Sequence, residues 1–413
     1  MCGVRPPLRF ALRISSPPID GGEEIRWPGS TPFLYPTEEG RGGETKARRR
    51  GGACTRRRMR LATFYRGGPT VLACGDTGSC LVSMPFVTLK DIAAARERIA
   101  GKVVETPTVL SPSLSTLAGV PVYLKLEHRQ TTGSFKLRGA SNAIASLSAD
   151  EKSRGVTAAS TGNHGRGLAH AAKLEGMRAV ICMSKLVPGN KLSEIRNLGA
   201  EVRIVGNSQD DAQEEVDRLV AEDGLIMLPP FDHPAIVAGQ GTVGLEIMEA
   251  VPDAATVLVP LSGGGLSAGI AAAVKALKPD AKVIGISMAR GAAMKASLDA
   301  GRPVLVEELP TLADSLGGGV GLDNRLTFAM CRDLLDGVIL LSEDEIAAGV
   351  RHAYEQEREI IEGGGAVGIA ALLAGRIKSD GPVVALLSGR NIDMALHREI
   401  ICGAAPANGE QAA

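Results

Sequence analysis

The sequence predicts an α/β fold of two domains with mostly parallel sheets. From residue 84 onward, short runs of apolar and β-branched residues alternate with segments of helical pattern, which is typical of parallel strands joined by helices. Several runs are apolar throughout, as expected of strands that are buried on both faces. This part of the chain has about 320 residues, which is large for one sheet, so we expect two α/β domains with a cleft between them.

The elements follow from capping residues and apolar runs. Thr88 is followed three residues later by Asp91, a capping box that predicts a helix ending near Gly101. Ser342 and Glu345 repeat this box before a later helix. Strands are predicted at seven runs, namely residues 121–127, 179–183, 200–206, 256–261, 282–287, 337–342 and 382–388.

The composition excludes several classes of partner. The chain of 413 residues has 46 Lys+Arg and 46 Asp+Glu, so it lacks the basic excess of proteins that bind nucleic acid or membrane surfaces. Residues 254–274 carry no charge, but three glycines in their middle indicate a strand, a loop and a helix rather than a membrane span. The seven cysteines include no C-x-x-C pair, which indicates a reduced, cytoplasmic protein without disulfides or a zinc site.

Residues 1–83 differ from the rest of the chain. They carry 14 Lys+Arg against 7 Asp+Glu, whereas the remainder carries 32 against 39. They show no helical or strand period, and Met84 opens the patterned sequence. We therefore expect residues 1–83 to be a disordered extension or the product of a misplaced start.

Four glycine-bearing loops adjoin the apolar runs. They are TTGSFKLRGA, STGNHGRG, LSGGGLSAG and LSGRNID, at residues 131–140, 160–167, 261–269 and 387–393. Ligands of open α/β sheets bind beyond the carboxyl ends of the strands. In the third loop, the backbone N–H groups of residues 262–266 can cradle a phosphate at the start of a helix.

Lys136 is the candidate nucleophile. It lies between Phe135 and Leu137, where apolar neighbours can lower the pKa of its amine. Asn163 in a glycine turn and Ser388 at a strand end complete a set of polar groups. Pyridoxal 5′-phosphate (PLP) needs such a set: a phosphate site, an amine for its aldehyde, a donor to its 3′-oxygen and a partner for its ring nitrogen.

These motifs resemble the fold-type-II PLP lyases, in particular the threonine/serine dehydratases. The resemblance covers residues 84 to about 404 and implies a fold like that of the tryptophan synthase β-subunit. It implies a large PLP-binding domain at residues 84–157 and 235–404, a small domain at 158–234 and a tail at 405–413. It also implies a homo-oligomer that acts on a small amino-acid substrate.

The resemblance assigns the site residues. GSFKLRGA implies a Schiff base on Lys136 beside Phe135, and Asn163 is implied to face the 3′-oxygen. Ser388 is implied to meet the pyridine nitrogen, and Glu362 to be the acidic residue near the cofactor. The phosphate loop is implied to comprise Ser262, Gly263, Gly264, Gly265 and Leu266, with Ser262 in place of the family's first glycine. The substrate carboxylate is implied to lie against Ser160, Thr161, Gly162 and His164.

The implied reaction is elimination of ammonia from L-threonine, L-serine or a related 3-hydroxy amino acid. A neutral Ser388 at the ring nitrogen favours loss of a β-group over transamination. Ser287 and Ala293 stand where metal-binding members carry acids, so no metal site is expected, and Thr161 stands where racemases carry a serine. Residues 290–298 and 388–400 resemble the hydroxyectoine-utilisation dehydratases, which implies a role in hydroxyectoine degradation.

Four alternatives remain open. A β-replacing enzyme or a serine racemase would use the same fold and cofactor. A nucleotide-binding oxidoreductase would use the glycine loops differently, but no clean G-x-G-x-x-G opens a βαβ unit. A binding protein without catalysis could keep the fold.

Overall fold

The computed structural model describes residues 86–160, 162–185 and 189–403, without the side chains of residues 189–191. The predictions for residues 1–83, for Thr161 and for residues 405–413 lie outside this part of the chain. The described residues form two sheets that are covered by helices.

The larger sheet has six strands in the order β1-β2-β10-β7-β8-β9. All neighbours are parallel except β1, which runs antiparallel to β2. The strands are β1 (Thr108–Leu110), β2 (Val122–Lys125), β7 (Thr256–Pro260), β8 (Lys282–Met288), β9 (Gly337–Leu341) and β10 (Val383–Leu386). The central strands β7 and β10 are buried along their whole length, whereas the edge strand β9 is half-buried.

The smaller sheet is fully parallel, in the order β5-β4-β3-β6. Its strands are β3 (Val156–Ala159), β4 (Ala179–Met183), β5 (Glu201–Ile204) and β6 (Ile226–Met227). All seven predicted strands are confirmed, while β1, β3 and β6 were not predicted from the sequence. The predicted domain boundary between residues 157 and 158 falls inside β3.

Fourteen α-helices surround the sheets in the described part of the chain. They are α1 (Leu89–Ile99), α2 (Pro112–Ala118), α3 (Lys136–Ala145), α4 (Ala149–Arg154), α5 (Asn163–Leu174), α6 (Gly189–Asn197), α7 (Gln209–Glu222), α8 (Pro234–Ala250), α9 (Gly265–Leu277), α10 (Ala293–Ala300), α11 (Leu326–Leu334), α12 (Glu343–Glu355), α13 (Gly363–Leu373) and α14 (Met394–Ile401). Both predicted capping boxes are present, at the starts of α1 and α12. No helix among the described residues combines the length and the apolar character needed to cross a bilayer.

Helix α3 lies against helices α5 and α8. Its contact with α8 is close because both helices carry a glycine there. A Cβ on Gly239 would lie 2.7 Å from the Cα of Gly139 and 2.7 Å from the carbonyl oxygen of Arg138. This close contact fixes the position of α3 against α8. It therefore also fixes the position of Lys136, the first residue of α3.

Candidate active site

The loops before α3 and after β10 pair with each other. Ser134 and Gly389 form an isolated antiparallel bridge, and the N–H of Phe135 donates to the carbonyl of Ser388 at 3.1 Å. The N–H of Arg390 donates to the carbonyl of Gly133 at 2.9 Å, and Gly133 has a φ of 77° that favours glycine. Two predicted motifs that are far apart in the chain therefore meet beyond the carboxyl end of β10.

Lys136 begins α3 at this junction. Its Nζ donates to the carbonyl of Pro230 at 2.9 Å and lies 5.4 Å from the centre of the Phe135 ring. Burial of the amine lowers the pKa of Lys136 to about 8, and the charge of Glu362 opposes that shift. A useful fraction of the amine is consequently neutral at physiological pH and able to act as a nucleophile or base.

Arg138 anchors the first turn of α3 in a buried ion network. It donates from Nε to Glu127 Oε1 at 2.6 Å and from Nη2 to Glu246 Oε2 at 2.8 Å. Lys125 Nζ also donates to Glu246 Oε2, at 2.5 Å. All four side chains are at most 6% exposed. Arg138 therefore makes structural ion pairs with both Glu127 and Glu246.

The predicted asparagine turn begins α5. Gly162 is its N-cap residue, and Ser160 Oγ accepts from the N–H of Gly165 at 3.0 Å. His164 Nε2 lies 2.8 Å from the carbonyl of Leu228. Burial, reinforced by the charge of Lys136, lowers the pKa of His164 to about 3, so this imidazole is neutral near pH 7.

Asn163 and Glu362 meet across the two sheets. Asn163 Nδ2 donates to Glu362 Oε1 at 2.8 Å. Burial raises the pKa of Glu362, and the nearby Asp314 adds to this effect. Asn391 contacts both residues and was not singled out from the sequence, although it ends the SGRN motif.

The glycine loop lies between β7 and α9. Gly264 is the N-cap of α9 with a φ of 89°, so the loop turns where a side chain would be strained. A Cβ on Gly263 would overlap the ring of Phe231, and one on Gly264 would lie 2.9 Å from Cys331 Sγ. Thr327 Oγ1 lies 2.8 Å from the carbonyl of Gly263. The loop therefore offers backbone N–H groups at a helix N-terminus, where phosphate binds well.

The segment of residues 228–231 contacts three parts of the site. The carbonyl of Leu228 meets His164, the carbonyl of Pro230 meets Lys136, and Phe231 packs on the glycine loop. Sequence analysis did not select this segment, because its contribution is mainly through backbone carbonyls.

Comparison with known proteins identifies the family. Residues 99–389 match the family described as pyridoxal-phosphate dependent enzymes. The chain belongs to this family. It is 66% identical over 325 residues to a putative threonine dehydratase of Sinorhizobium fredii, covering 78% of this chain and 98% of that protein. It is 43% identical over 317 residues to the L-threonine ammonia-lyase of Thermotoga maritima, covering 76% and 78%.

Solved structures agree with this assignment. The processed form of threonine deaminase isoform 2 from Solanum lycopersicum is 37% identical and superposes with a TM-score of 0.71 over 77% of this chain and 88% of that one. Maize serine racemase is 32% identical, with a TM-score of 0.72 over 77% and 97%. The predicted fold-type-II α/β architecture and the PLP cofactor are thereby confirmed.

The residues of this PLP enzyme fit the cofactor. The amine of Lys136 has a carbonyl partner and no ion pair within hydrogen-bond distance among the described residues. The three glycines of the loop are buried, and Ser388 is only 3% exposed, with its carbonyl accepting from the N–H of Phe135. Among the residues described, no three His, Cys, Asp or Glu side chains group so that they could hold a metal ion.

Proposed function

We propose that this PLP enzyme is an ammonia-lyase (dehydratase) that converts L-threonine, L-serine or a related 3-hydroxy amino acid to a 2-oxo acid and ammonia. The observation that carries the proposal is the backbone pairing of Phe135 with Ser388, which joins the loop that precedes the low-pKa amine of Lys136 to the loop that carries the Ser388 hydroxyl. The names of the two relatives, a putative threonine dehydratase and an L-threonine ammonia-lyase, support the same reaction.

Lys136 has two roles in this proposal. Its amine would hold PLP covalently in the resting enzyme, and once the amino group of the substrate has displaced it from PLP, the freed neutral amine would accept the proton from the substrate Cα. Bound PLP supplies the electron withdrawal that makes this Cα–H acidic. Because burial lowers the pKa of Lys136 to about 8, the neutral form that can accept the Cα proton is reached at a pH closer to neutrality than for an ordinary lysine.

Ser388 determines the fate of the substrate after its Cα proton is removed. A carboxylate at the ring nitrogen would keep that nitrogen protonated, whereas a hydroxyl does not impose a charge. Weaker electron withdrawal favours departure of the β-hydroxyl over transamination. In our assignment Asn163 faces the 3′-oxygen, Phe135 flanks the cofactor and Glu362 lies behind Asn163.

The substrate carboxylate is assigned to the start of α5. The first N–H groups of a helix have no partner within the helix, and they favour an anion. Ser160 Oγ accepts a hydrogen bond from the N–H of Gly165. This hydrogen bond stabilises the turn from Ser160 through Gly162 to His164. A neutral His164 adds no charge to this turn. Holding the carboxylate there directs the Cα–H toward Lys136, and orientation of this kind contributes about 7–11 kcal/mol to lowering barriers.

The phosphate is assigned to the loop that contains Ser262, Gly263, Gly264, Gly265 and Leu266. Backbone donors are sufficient there, so Ser262 in place of a glycine is compatible with the role. When PLP is bound, its phosphate held in this loop would be the candidate proton donor to the departing hydroxyl.

The test is a coupled lactate-dehydrogenase assay with a panel of 3-hydroxy amino acids. We expect the wild type to release a 2-oxo acid and ammonia from L-threonine or L-serine. Lys136→Ala should abolish turnover, while Lys90→Ala, a matched change at an exposed helix position, should retain it. Peptide mapping after borohydride reduction should place the cofactor on Lys136, and a label on another lysine would refute the assignment.

The same panel separates the alternatives. Turnover of a hydroxyectoine-derived amino acid, with none of threonine or serine, would retain the lyase and change the substrate. Cysteine formed from O-acetylserine and sulfide would favour β-replacement. Chiral analysis of L-serine reactions measures racemase activity, which the similarity to maize serine racemase makes a competing reaction.

We also propose that the enzyme works in the cytoplasm as a homo-oligomer, with the cleft between residues 158–234 and the rest of the fold as the active site. The unpaired cysteine spacing supports the reducing compartment. Light scattering after gel filtration measures the oligomeric state, and a monomeric active enzyme would contradict this part.

A further inference from the structure

Asn391 lies behind the candidate cofactor site, where the loop after β10 meets α5. Its side-chain nitrogen donates to the carbonyl of Thr132 at 3.0 Å and to Asn163 Oδ1 at 2.5 Å. Its backbone N–H donates to Glu362 Oε2 at 3.0 Å. One residue therefore contacts both of the polar side chains that meet across the two sheets.

These contacts determine the direction of the Asn391 amide. A backbone carbonyl can only accept, so the Asn391 nitrogen must face Thr132. The other end of the amide agrees, because Asn391 Oδ1 lies 3.5 Å from the guanidinium nitrogen Nη1 of Arg166. The nitrogen of the Asn391 amide is thus held by a backbone carbonyl, and its oxygen faces a guanidinium.

The direction of the Asn163 amide follows from that of Asn391. The second N–H of Asn391 meets Asn163, so the oxygen of Asn163 must face Asn391. The nitrogen of Asn163 is left on the other side, where it donates to Glu362 Oε1 at 2.8 Å. A side-chain amide has two ends of similar size and opposite hydrogen-bonding character, so reversal would present an acceptor where a donor now stands.

We propose that Asn391 is a positioning residue that holds the Asn163 amide so that the N–H of Asn163 that is not donated to Glu362 can meet the 3′-oxygen of PLP. This inference rests on the proposed role of Asn163. Glu362 supports the same orientation from the opposite end, since its carboxylate accepts from Asn163 and from the backbone of Asn391. Gly133 leaves the necessary space, because a Cβ there would overlap the oxygen of Asn391.

The experiment is a double-mutant cycle on the full-length protein. Asn391→Leu removes the donor at similar size, and Asn391→Asp replaces it with an acceptor. Each change is made in the wild type and in Asn163→Ala, and the Kd of PLP and the visible absorption spectrum of the holoenzyme are measured. Asn142→Asp is the matched control, since Asn142 likewise donates to a backbone carbonyl, that of Ala235 at 2.7 Å, and is more deeply buried than the half-buried Asn391.

With Asn163 present, we expect each change at Asn391 to raise the Kd of PLP about tenfold, the size of one net hydrogen bond, and to shift the visible band. With Asn163→Ala, the same changes should alter Kd by less than about twofold, because no amide is left to orient. The control should keep both quantities near their wild-type values. If one Asn391 variant does not fold, the other completes the cycle.

Equal losses of PLP affinity in both backgrounds would overturn the inference, as would unchanged affinity and spectrum in the Asn391 variants. Neither readout requires turnover. Failure of the wild type to release ammonia would therefore refute the proposed dehydratase reaction while the cycle still decides the role of Asn391.

Discussion

Replacement of Arg138 by methionine should strongly destabilise the protein, because it breaks the buried network under α3. Arg138 makes a two-pronged contact with Glu127, at 2.6 and 3.0 Å, and also donates to Glu246 at 2.8 Å. Without the guanidinium of Arg138, Lys125 is the one cation left in this network, as the described residues form it, and it faces the two buried carboxylates of Glu127 and Glu246.

The magnitude follows from burial. Removal of one member of a buried ion pair typically costs about 3–5 kcal/mol, because a desolvated charge loses its partner. At about 2 °C per kcal/mol, the lower end for domains of this size, the fall in Tm is roughly 6–10 °C. The exposed pair of Arg96 with Glu249, at 2.9 Å, provides the comparison, since such pairs contribute about 1 kcal/mol or less.

The assay is thermal unfolding of PLP-saturated enzyme, followed by circular dichroism, for Arg138→Met and Arg96→Met. Adding Glu246→Gln to Arg138→Met restores charge balance and should recover part of the lost Tm. A loss for Arg138→Met no larger than that for Arg96→Met would refute the reasoning. So would a further fall, instead of a recovery, in the double variant.

Three further predictions concern the cofactor site. The rate at which PLP attaches to the apoenzyme should rise with pH and level off above about 8, because the neutral amine of Lys136 is the reactive form. Stopped-flow absorbance measures this rate. A midpoint of the pH profile above about 10 would contradict the lowered pKa of Lys136. Gly264→Ala should weaken PLP binding at least about tenfold, because the φ of Gly264 is 89° and the added Cβ would lie 2.9 Å from Cys331 Sγ. Equilibrium dialysis of PLP tests this prediction. Gly301→Ala controls for backbone strain alone, since Gly301 also has a positive φ but has open space around it. EDTA should leave activity unchanged and Mg²⁺ should not raise it, because Ser287 and Ala293 replace the expected acidic ligands; a several-fold loss that Mg²⁺ restores would show otherwise.

Much of the fold is encoded locally. The strands β4, β7 and β10 were predicted from apolar runs in the sequence. In the structure every residue of these strands is buried, which explains why the runs are apolar. Helices α1 and α12 were predicted from capping boxes whose hydrogen bonds span three residues. In contrast, β1 and β6 have three and two residues, too few for a period to be recognised, and β3 has the weak pattern VTAA.

The sequence by itself also determined the candidate chemistry, because Lys136, Asn163, the glycine loop and Ser388 each stand in a short motif. The tertiary structure decided which of these motifs touch. The pairing of Ser134 with Gly389 depends on the place of β10 beside β2 in the sheet. The lowered pKa of Lys136 depends on the burial of its amine in the folded chain. Asn391 acquires its contacts with Thr132 and Asn163 in the same way. Local patterns report the burial of sequence neighbours, whereas contacts between residues that are far apart in the chain depend on strand order, and no local period records that order.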